Sequence, residues 1–372
     1  MASGTGSNLR VALLGAGNIA TTHLAALRQL TGVEIVGVSD LNYQRATAFQ
    51  KQAGIPNAYA DLDTMLRECK PQIVHVLLPP TAHCEAAVKC LEAGSHAFVE
   101  KPFCVTVEEC YRVRDLAKSM GLKVGVNHNL AFMPGMMRLI EEIRNLRLGA
   151  VEHVAMQYTI PMPGLAKAPA THWMFGESGR IMLELGPHPV SIVCRLLGPV
   201  KSACTAVSGE ITLLNKTRFF STWMSSLVCE RGTASLTLST GGGYSSGSVQ
   251  VNGQDGTAYV DLTRNTIRIS EKNRFIRAGG LVDGLGNGLS VAGQGLQNFI
   301  AYGLGATGMA KPYDLQVASV TNSVENFYNA VRRGEAPTVS ADEGTAVIEA
   351  CWMIIDGALR YATEGHSIAA GR

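Results

Sequence analysis

The chain has 372 residues, of which 46% are hydrophobic and 17% charged, with a formal net charge of +2. That composition excludes intrinsic disorder and, because the basic residues are scattered, a nucleic-acid surface. The length exceeds one typical core and fits about two domains.

Nine cysteines with no C-x-x-C pair, an odd total, argue against a complete disulfide framework and for small buried thiols in a reducing compartment. No metal-ligand cluster is expected. The lead Met1–Ser7 is polar, without a basic n-region or a long apolar h-region. No apolar run approaches the ~20 residues of a spanning helix. The chain reads as cytoplasmic, with no membrane partner.

The chain is organised around its first elements. A short apolar run, Leu9–Leu14, meets a glycine turn, and an amphipathic helix over Thr21–Leu30 follows at once. A buried strand turning into a helix exposes backbone N–H groups at a positive helix end. Gly15 permits the tight turn, Gly17 lets a pyrophosphate approach the backbone, and Ala20 keeps helix and strand close, with Asn18 and Ile19 between them. The next apolar run, Val33–Ser39, ends at Asp40, roughly twenty residues on, where a carboxylate can grip the adenosine ribose hydroxyls. The competing reading of Asp40 is a helix N-cap before Leu41. A carboxylate here repels a 2′-phosphate, and no arginine follows immediately (Leu41, Asn42 and Tyr43 come next), so NAD is preferred over NADP.

Strand and helix then alternate to residue 129. A helix to Ala53 and a short run at Ala58–Ala60 precede a helix over Asp61–Lys70 and a continuous apolar strand over Ile73–Leu78. A helix over His83–Ala93, a strand over His96–Glu100, a helix opened by a capping box from Thr106 to Glu109, and a strand over Lys123–Val126 complete the set. Near-continuous apolar strands between amphipathic helices predict a doubly wound parallel sheet covered on both faces. From residue 149, long extended runs at Val151–Ile160, Ala203–Thr212, Thr222–Thr240 and Ser248–Ser270 predict a large, mostly antiparallel open sheet. Helices at Arg180–Leu197, Gln294–Leu304, Leu315–Arg333 and Glu343–Glu364 would cover it. The expected fold class is therefore α/β with a C-terminal α+β domain, divided as residues 1–129 and 130–372. Ala278–Leu289 is glycine-dense yet apolar, read as a closing loop, a subunit contact or an irregular surface loop.

Three clusters fall at or beyond strand ends, where open parallel sheets bind ligands. In Leu78-Pro79-Pro80-Thr81-Ala82-His83 two prolines stop the strand and a helix starts near Thr81, turning backbone and hydroxyl groups to a cofactor. His83 alone also reads as a satisfied helix-start histidine. Glu100-Lys101-Pro102 puts an ion-forming pair after a buried strand, which is costly unless used or paired. In Gly179–Ser191, Glu184 and His188 stand four apart, and a carboxylate beside an imidazole suits a general base. Pro187 and Pro189 make a regular helix doubtful there, and the bland reading is a surface pair.

Together these pieces resemble the glucose–fructose oxidoreductase, inositol dehydrogenase and MocA family. Its G-x-G-x-x-G/A turn, proline loop, E-K-P signature and later glycine–histidine segment appear here as Gly15–Ala20, Pro79–His83, Glu100–Pro102 and Gly179–Ser191, in order. Asn322–Phe327 and Arg333–Pro337 resemble its closing region. The resemblance implies a Rossmann domain and hydride transfer between nicotinamide and a sugar, polyol or sugar-derivative carbon. It implies that Lys101 orients the substrate hydroxyl, that His188 is the acid/base, and that Glu184 partners His188. The cofactor would be held by Gly15, Gly17, Asn18, Ile19, Asp40, Leu78, Pro79, Thr81, His83, Glu100, Lys101 and Asn127. His128, Tyr158, His172, Trp173 and Arg180 would join Lys101 and His188 around the substrate, with Trp173 as a stacking face; strand packing is the simpler view of Tyr158. By analogy the chain forms a homo-oligomer, a dimer or tetramer.

Departures from the family pattern bear on the substrate more than on the reaction. Glu184 and Ser191 replace aspartates, Thr81 an asparagine, and Met174 an arginine. Two alternatives stay open: a redox-neutral glycosidase or lyase using transient sugar oxidation, and a non-catalytic sugar or nucleotide sensor.

Overall fold

The computed structural model of the chain describes residues 8–165, 171–272, 276–307, 309, 314–364 and 368–369; the polar lead at residues 1–7 lies outside them. Backbone contacts divide the chain into two compact units, Met1–Asn129 with Gln316–Ile348, and Leu130–Leu315 with Glu349–Arg372. The division expected at residue 129 keeps residues 316–348 in the second domain, whereas here they join the first unit. The difference is α10 (Leu315–Arg333), whose Val320, Val324, Phe327 and Tyr328 belong to the same hydrophobic core as Val11, Leu13 and Phe98.

The first unit is built on six strands: β1 (Leu9–Leu14), β2 (Val33–Ser39), β3 (Ala58–Tyr59), β4 (Ile73–Val76), β5 (His96–Val99) and β6 (Val124–Val126). They are all parallel, in the order β3-β2-β1-β4-β5-β6. This is the doubly wound arrangement with its switch point between β1 and β4. Helices α1 (Asn18–Leu27), α2 (Tyr43–Ala53), α3 (Leu62–Cys69), α4 (His83–Glu92) and α5 (Val107–Met120) fall close to their sequence-predicted positions. Local chemistry explains several ends. Asp61 caps α3, the Thr106–Glu109 capping box opens α5, and Gly54 and Gly121 close α2 and α5 in the left-handed conformation. Parallel pairing from Leu9↔Val33 to Leu14↔Ser39 delivers Asp40 beside the glycine turn. That register is what positions the site.

The second unit opens with α6 (Pro134–Arg144), unread in the sequence, followed by β7 (Val151–Thr159). Next come α7 (Arg180–Leu185) and α8 (Pro187–Leu197), joined at Gly186, which keeps a helical backbone. The doubt over a regular helix is thus half right: Pro187 restarts the helix at its first turn, where no N–H is needed. Strands β8 (Val200–Thr212), β9 (Arg218–Cys229), β10 (Gly232–Ser239), β11 (Ser246–Gly253), β12 (Gly256–Asp261), β13 (Thr266–Glu271) and β14 (Ile368–Ala369) complete an eight-stranded sheet in the order β13-β12-β11-β7-β10-β9-β8-β14. Two pairings are parallel, β10 with β7 and β14 with β8, and the rest antiparallel. Along β9, Trp223, Leu227 and Cys229 are buried while Met224, Ser226 and Val228 are exposed, so one face of the sheet is open there.

The glycine-dense stretch is not a loop. It lies within α9 (Ile276–Ala306), which carries nine glycines in 31 residues. Each glycine costs about 1 kcal/mol against alanine in a helix interior, so local propensity argues against this helix. Tertiary bonds override it. Asn287, Gln294 and Asn298 lie on one helical face and reach the rim of the sheet along β13. The Asn287 amide accepts from Ile269 N–H (3.2 Å), the Gln294 amide accepts from Ile267 N–H (2.9 Å) and donates to its carbonyl (2.8 Å), and Asn298 donates to the Arg264 carbonyl (2.9 Å). Leu281, Leu285, Leu289, Leu296 and Phe299 are exposed.

All nine cysteines are free thiols, eight of them buried and Cys204 exposed. Among the described residues no helix is long and apolar enough to cross a membrane, and no group of His, Cys, Asp or Glu is placed to hold a metal ion.

Candidate functional site

In the first unit the sequence-predicted residues gather at the carboxyl edge of the parallel sheet. Gly15 adopts φ +106°, and a Cβ there would sit 2.4 Å from the Leu77 carbonyl oxygen, so the turn admits only glycine. A Cβ on Gly17 would meet nothing within 4 Å. The α1 N-terminus that begins at Asn18 and Ile19 carries no side-chain cap, which leaves its N–H groups for an anion. These features fit a pyrophosphate.

Asp40 is buried, and its carboxylate accepts from Ala16 N–H (2.9 Å), Asn42 N–H (2.8 Å), and Arg45 Nε (2.9 Å) and Nη2 (2.7 Å). Burial pushes this carboxyl up, but the Arg45 guanidinium and the two N–H groups hold it below its ordinary value. Four donors fill its four acceptor positions. Ribose hydroxyls can bond Asp40 only as Arg45, whose side chain is 56% exposed, gives way. No arginine follows Asp40 immediately, at positions 41–43, but Arg45 reaches it in space. Arg45 lies one helical turn on, where the chain folds back, and its signal was the spacing from Asp40.

After β4, Leu78 is half-buried and Pro79 and Thr81 are exposed; a 3-10 turn at Pro80–Ala82 precedes α4, which begins at His83. His83 is fully buried, with Nδ1 on the Pro102 carbonyl and Nε2 on the Leu78 carbonyl, each at 2.8 Å. Each ring nitrogen faces a carbonyl, and a neutral ring can donate to one of them only, so His83 lies between the loops that follow β4 and β5.

Glu100 follows β5, and half-buried Lys101 follows Glu100. The Glu100 carboxylate accepts from His23 Nε2 (2.7 Å), Asn127 Nδ2 (2.6 Å) and the Lys101 N–H (3.2 Å). Burial works against ionisation, yet His23, Asn127 and Lys101 hold the carboxyl down at about 2. Past β6, Asn127 Oδ1 and both ring nitrogens of His128 are buried without a hydrogen-bond partner among the described residues. Orphaned buried polar atoms call for a ligand or a reason. Burial pushes His128 down to about 3, opposed by Glu100 and aided by Lys101, so its ring is neutral.

In the second unit, Trp173 lies in a 3-10 turn, and its indole Nε1 donates to Glu184 Oε2 at 2.6 Å. No local sequence motif signals this bond. His188, in the first turn of α8, is half-buried, with the Tyr158 ring edge-on to it at 6.0 Å between centroids. Burial raises Tyr158 to about 12, so it is a neutral phenol. Ser191 donates to the His188 carbonyl at 2.8 Å. Arg180 pairs with Glu177, and exposed His172 accepts from Met174 N–H at 3.4 Å.

The family model for the oxidoreductase family with an NAD-binding Rossmann fold, glucose–fructose oxidoreductase/inositol dehydrogenase/MocA, matches residues 9–128. The chain is similar to D-glucoside 3-dehydrogenase of Escherichia coli K12, 28% identical over 200 residues that cover 52% of this chain and 55% of that protein. It is also similar to glucose-6-phosphate 3-dehydrogenase of Bacillus subtilis 168, 28% identical over 149 residues covering 40% and 42%. The chain thus spans about half the length of these curated relatives. Among solved structures, levoglucosan dehydrogenase in complex with NADH and levoglucosan superimposes with a TM-score of 0.78 at 16% identity, over 95% of this chain and 98% of that one, a likeness of fold. Residues 9–128, with the glycine turn, the acidic end of β2 and the Glu100-Lys101-Pro102 signature all inside the match, thus carry the NAD-binding Rossmann pattern of that oxidoreductase family.

Proposed function

We propose that the chain is an NAD-dependent oxidoreductase acting on a CH–OH group of a sugar or sugar derivative. The observation that carries this reading is Lys101, standing directly after β5 on the edge that bears the glycine turn and Asp40, beside a carboxylate kept ionised. The bound nicotinamide supplies the two-electron acceptor or donor. Gly15, Gly17 and the start of α1 hold the pyrophosphate, Asp40 the adenosine ribose, and Asn127 the nicotinamide end. Lys101 orients the substrate hydroxyl and favours its deprotonated form. His188 exchanges the hydroxyl proton, and Trp173 offers a sugar ring a stacking face. The dehydrogenases of glucosides and of glucose 6-phosphate among the relatives support the sugar class.

The test is a panel of sugars, glycosides and sugar phosphates with NAD, followed by NADH absorbance and by product analysis. Accumulation of NADH in step with an oxidised sugar is the expected result. Sugar consumed with no free NADH would move the reading to the redox-neutral alternative. Absence of both turnover and NAD binding would sink it.

Asp40→Ala is expected to weaken NAD by about tenfold or more, the size of a lost charged hydrogen bond. It also releases the Arg45 guanidinium, a ready partner for a 2′-phosphate, so NADP should lose less affinity than NAD or gain some. Calorimetric titration with both dinucleotides measures this; an undiminished preference for NAD would remove Asp40 from the ribose contact.

A further inference from the structure

Behind Glu100, inside the first unit, runs a chain of buried polar groups that the proposed reaction does not use. Tyr328, from α10, places its hydroxyl 2.8 Å from His75 Nε2. His75, in the middle of the apolar strand β4, places Nδ1 2.8 Å from His23 Nδ1. His23, on α1, places Nε2 2.7 Å from Glu100 Oε1. His23, His75 and Tyr328 are fully buried. A histidine in a strand that is otherwise apolar is costly unless both ring nitrogens are satisfied, and here they are.

The hydrogens can be counted. Burial pushes His75 well below its ordinary value and Tyr328 well above, so both are neutral. Glu100 is ionised and has no hydrogen to give. The Tyr328 hydroxyl has one partner among the described residues, His75 Nε2, so its buried hydrogen is satisfied only if that nitrogen presents a lone pair. Neutral His75 then carries its hydrogen on Nδ1 and donates it to His23 Nδ1, which presents a lone pair, and His23 donates from Nε2 to Glu100. All the donors point toward Glu100.

We infer that Tyr328, His75 and His23 are positioning residues: they form a one-directional relay that locks both imidazole tautomers and, through Glu100, fixes the backbone and side chain of Lys101. The inference deepens the reaction proposed above and rests on it for its kinetic consequence. Without the Tyr328 hydroxyl, His75 is free to carry its hydrogen on Nε2. Two lone pairs would then face each other at 2.8 Å between the rings, and His23 would relieve this by moving its own hydrogen to Nδ1, abandoning Glu100. Tautomer choice at one end is thereby transmitted to the carboxylate at the other.

The experiment is two-bond proton–nitrogen correlation NMR on the full chain labelled with nitrogen-15 histidine, in the unsubstituted protein and in Tyr328→Phe. His23→Gln and His75→Gln identify the two spin systems. Expected are a neutral Nε2–H tautomer for His23, a neutral Nδ1–H tautomer for His75, and mixed tautomers for both in Tyr328→Phe. With the sugar that the panel identifies, Tyr328→Phe is expected to lower kcat by roughly 10- to 100-fold, the usual loss for an orienting partner, with KM for NAD within about twofold. The opposite tautomers, or a protonated ring, in the unsubstituted protein would overturn the relay, whether or not any variant folds and whether or not any sugar reacts. An unchanged kcat in Tyr328→Phe would overturn its positioning role. Failure of the proposed reaction is a separate outcome, seen as no turnover by the unsubstituted protein.

Discussion

Replacing Lys101 with alanine is expected to lower kcat by about 10²–10⁴-fold while changing the Kd for NAD by no more than about threefold. The split follows from where each function sits on the sheet edge. The dinucleotide is to be held by the turn after β1 and the carboxylate after β2, two strands that Lys101 does not belong to. In the proposed reaction the ammonium favours the charge that develops on the substrate oxygen, an interaction stronger in the transition state than in the bound ground state. Lys101→Arg is expected to rescue little, because a planar fork does not replace a compact charge at a confined position. Steady-state kinetics together with NADH fluorescence titration measure both constants. A variant with full kcat would remove Lys101 from the reaction.

Glu100→Gln is expected to cost the first unit on the order of 3 kcal/mol at pH 7, from a folded-state pKa of about 2 against 4.5 in the unfolded chain. Because folding depresses this pKa, the stability it contributes is complete above about pH 4.5 and fades as the pH falls through about 2. The gap between wild type and variant should therefore be constant from neutrality down to the mid-fours, narrow below that, and close near pH 2. Urea unfolding at a series of pH values reads the gap directly. A gap that stays constant to pH 2 would mean that Glu100 is not the titrating group.

Much of the first unit is legible in the sequence because its signals are local. The glycine turn, the Thr106 capping box and the apolar runs each state their own conformation within a few residues. What escaped was long-range. Nothing near Tyr328 in the sequence points to His75, which lies 253 residues earlier, and nothing in α10 declares that Phe327 packs on β6 at Gly125, where a Cβ would sit 2.5 Å from the ring. The lone histidine in an apolar strand was the one available signal for the relay, since burial there demands partners. In the second unit the strands follow from their alternation, whereas α9 defies its own composition and α6 carries weak start signals beyond Pro134. The Trp173–Glu184 bond joins residues whose spacing, 11, matches no local motif.

The three amides of α9 have a consequence beyond that helix. An outermost strand with bare peptide groups is a template on which further strands from other molecules can grow. By occupying the Ile267 and Ile269 amides, Asn287 and Gln294 act as chain terminators for that growth, and they do so with neutral side chains instead of the charges or prolines that usually guard such a margin. The long glycine-laden helix is thus tied to the solubility of its own sheet: whatever unseats it uncovers a polymerising rim.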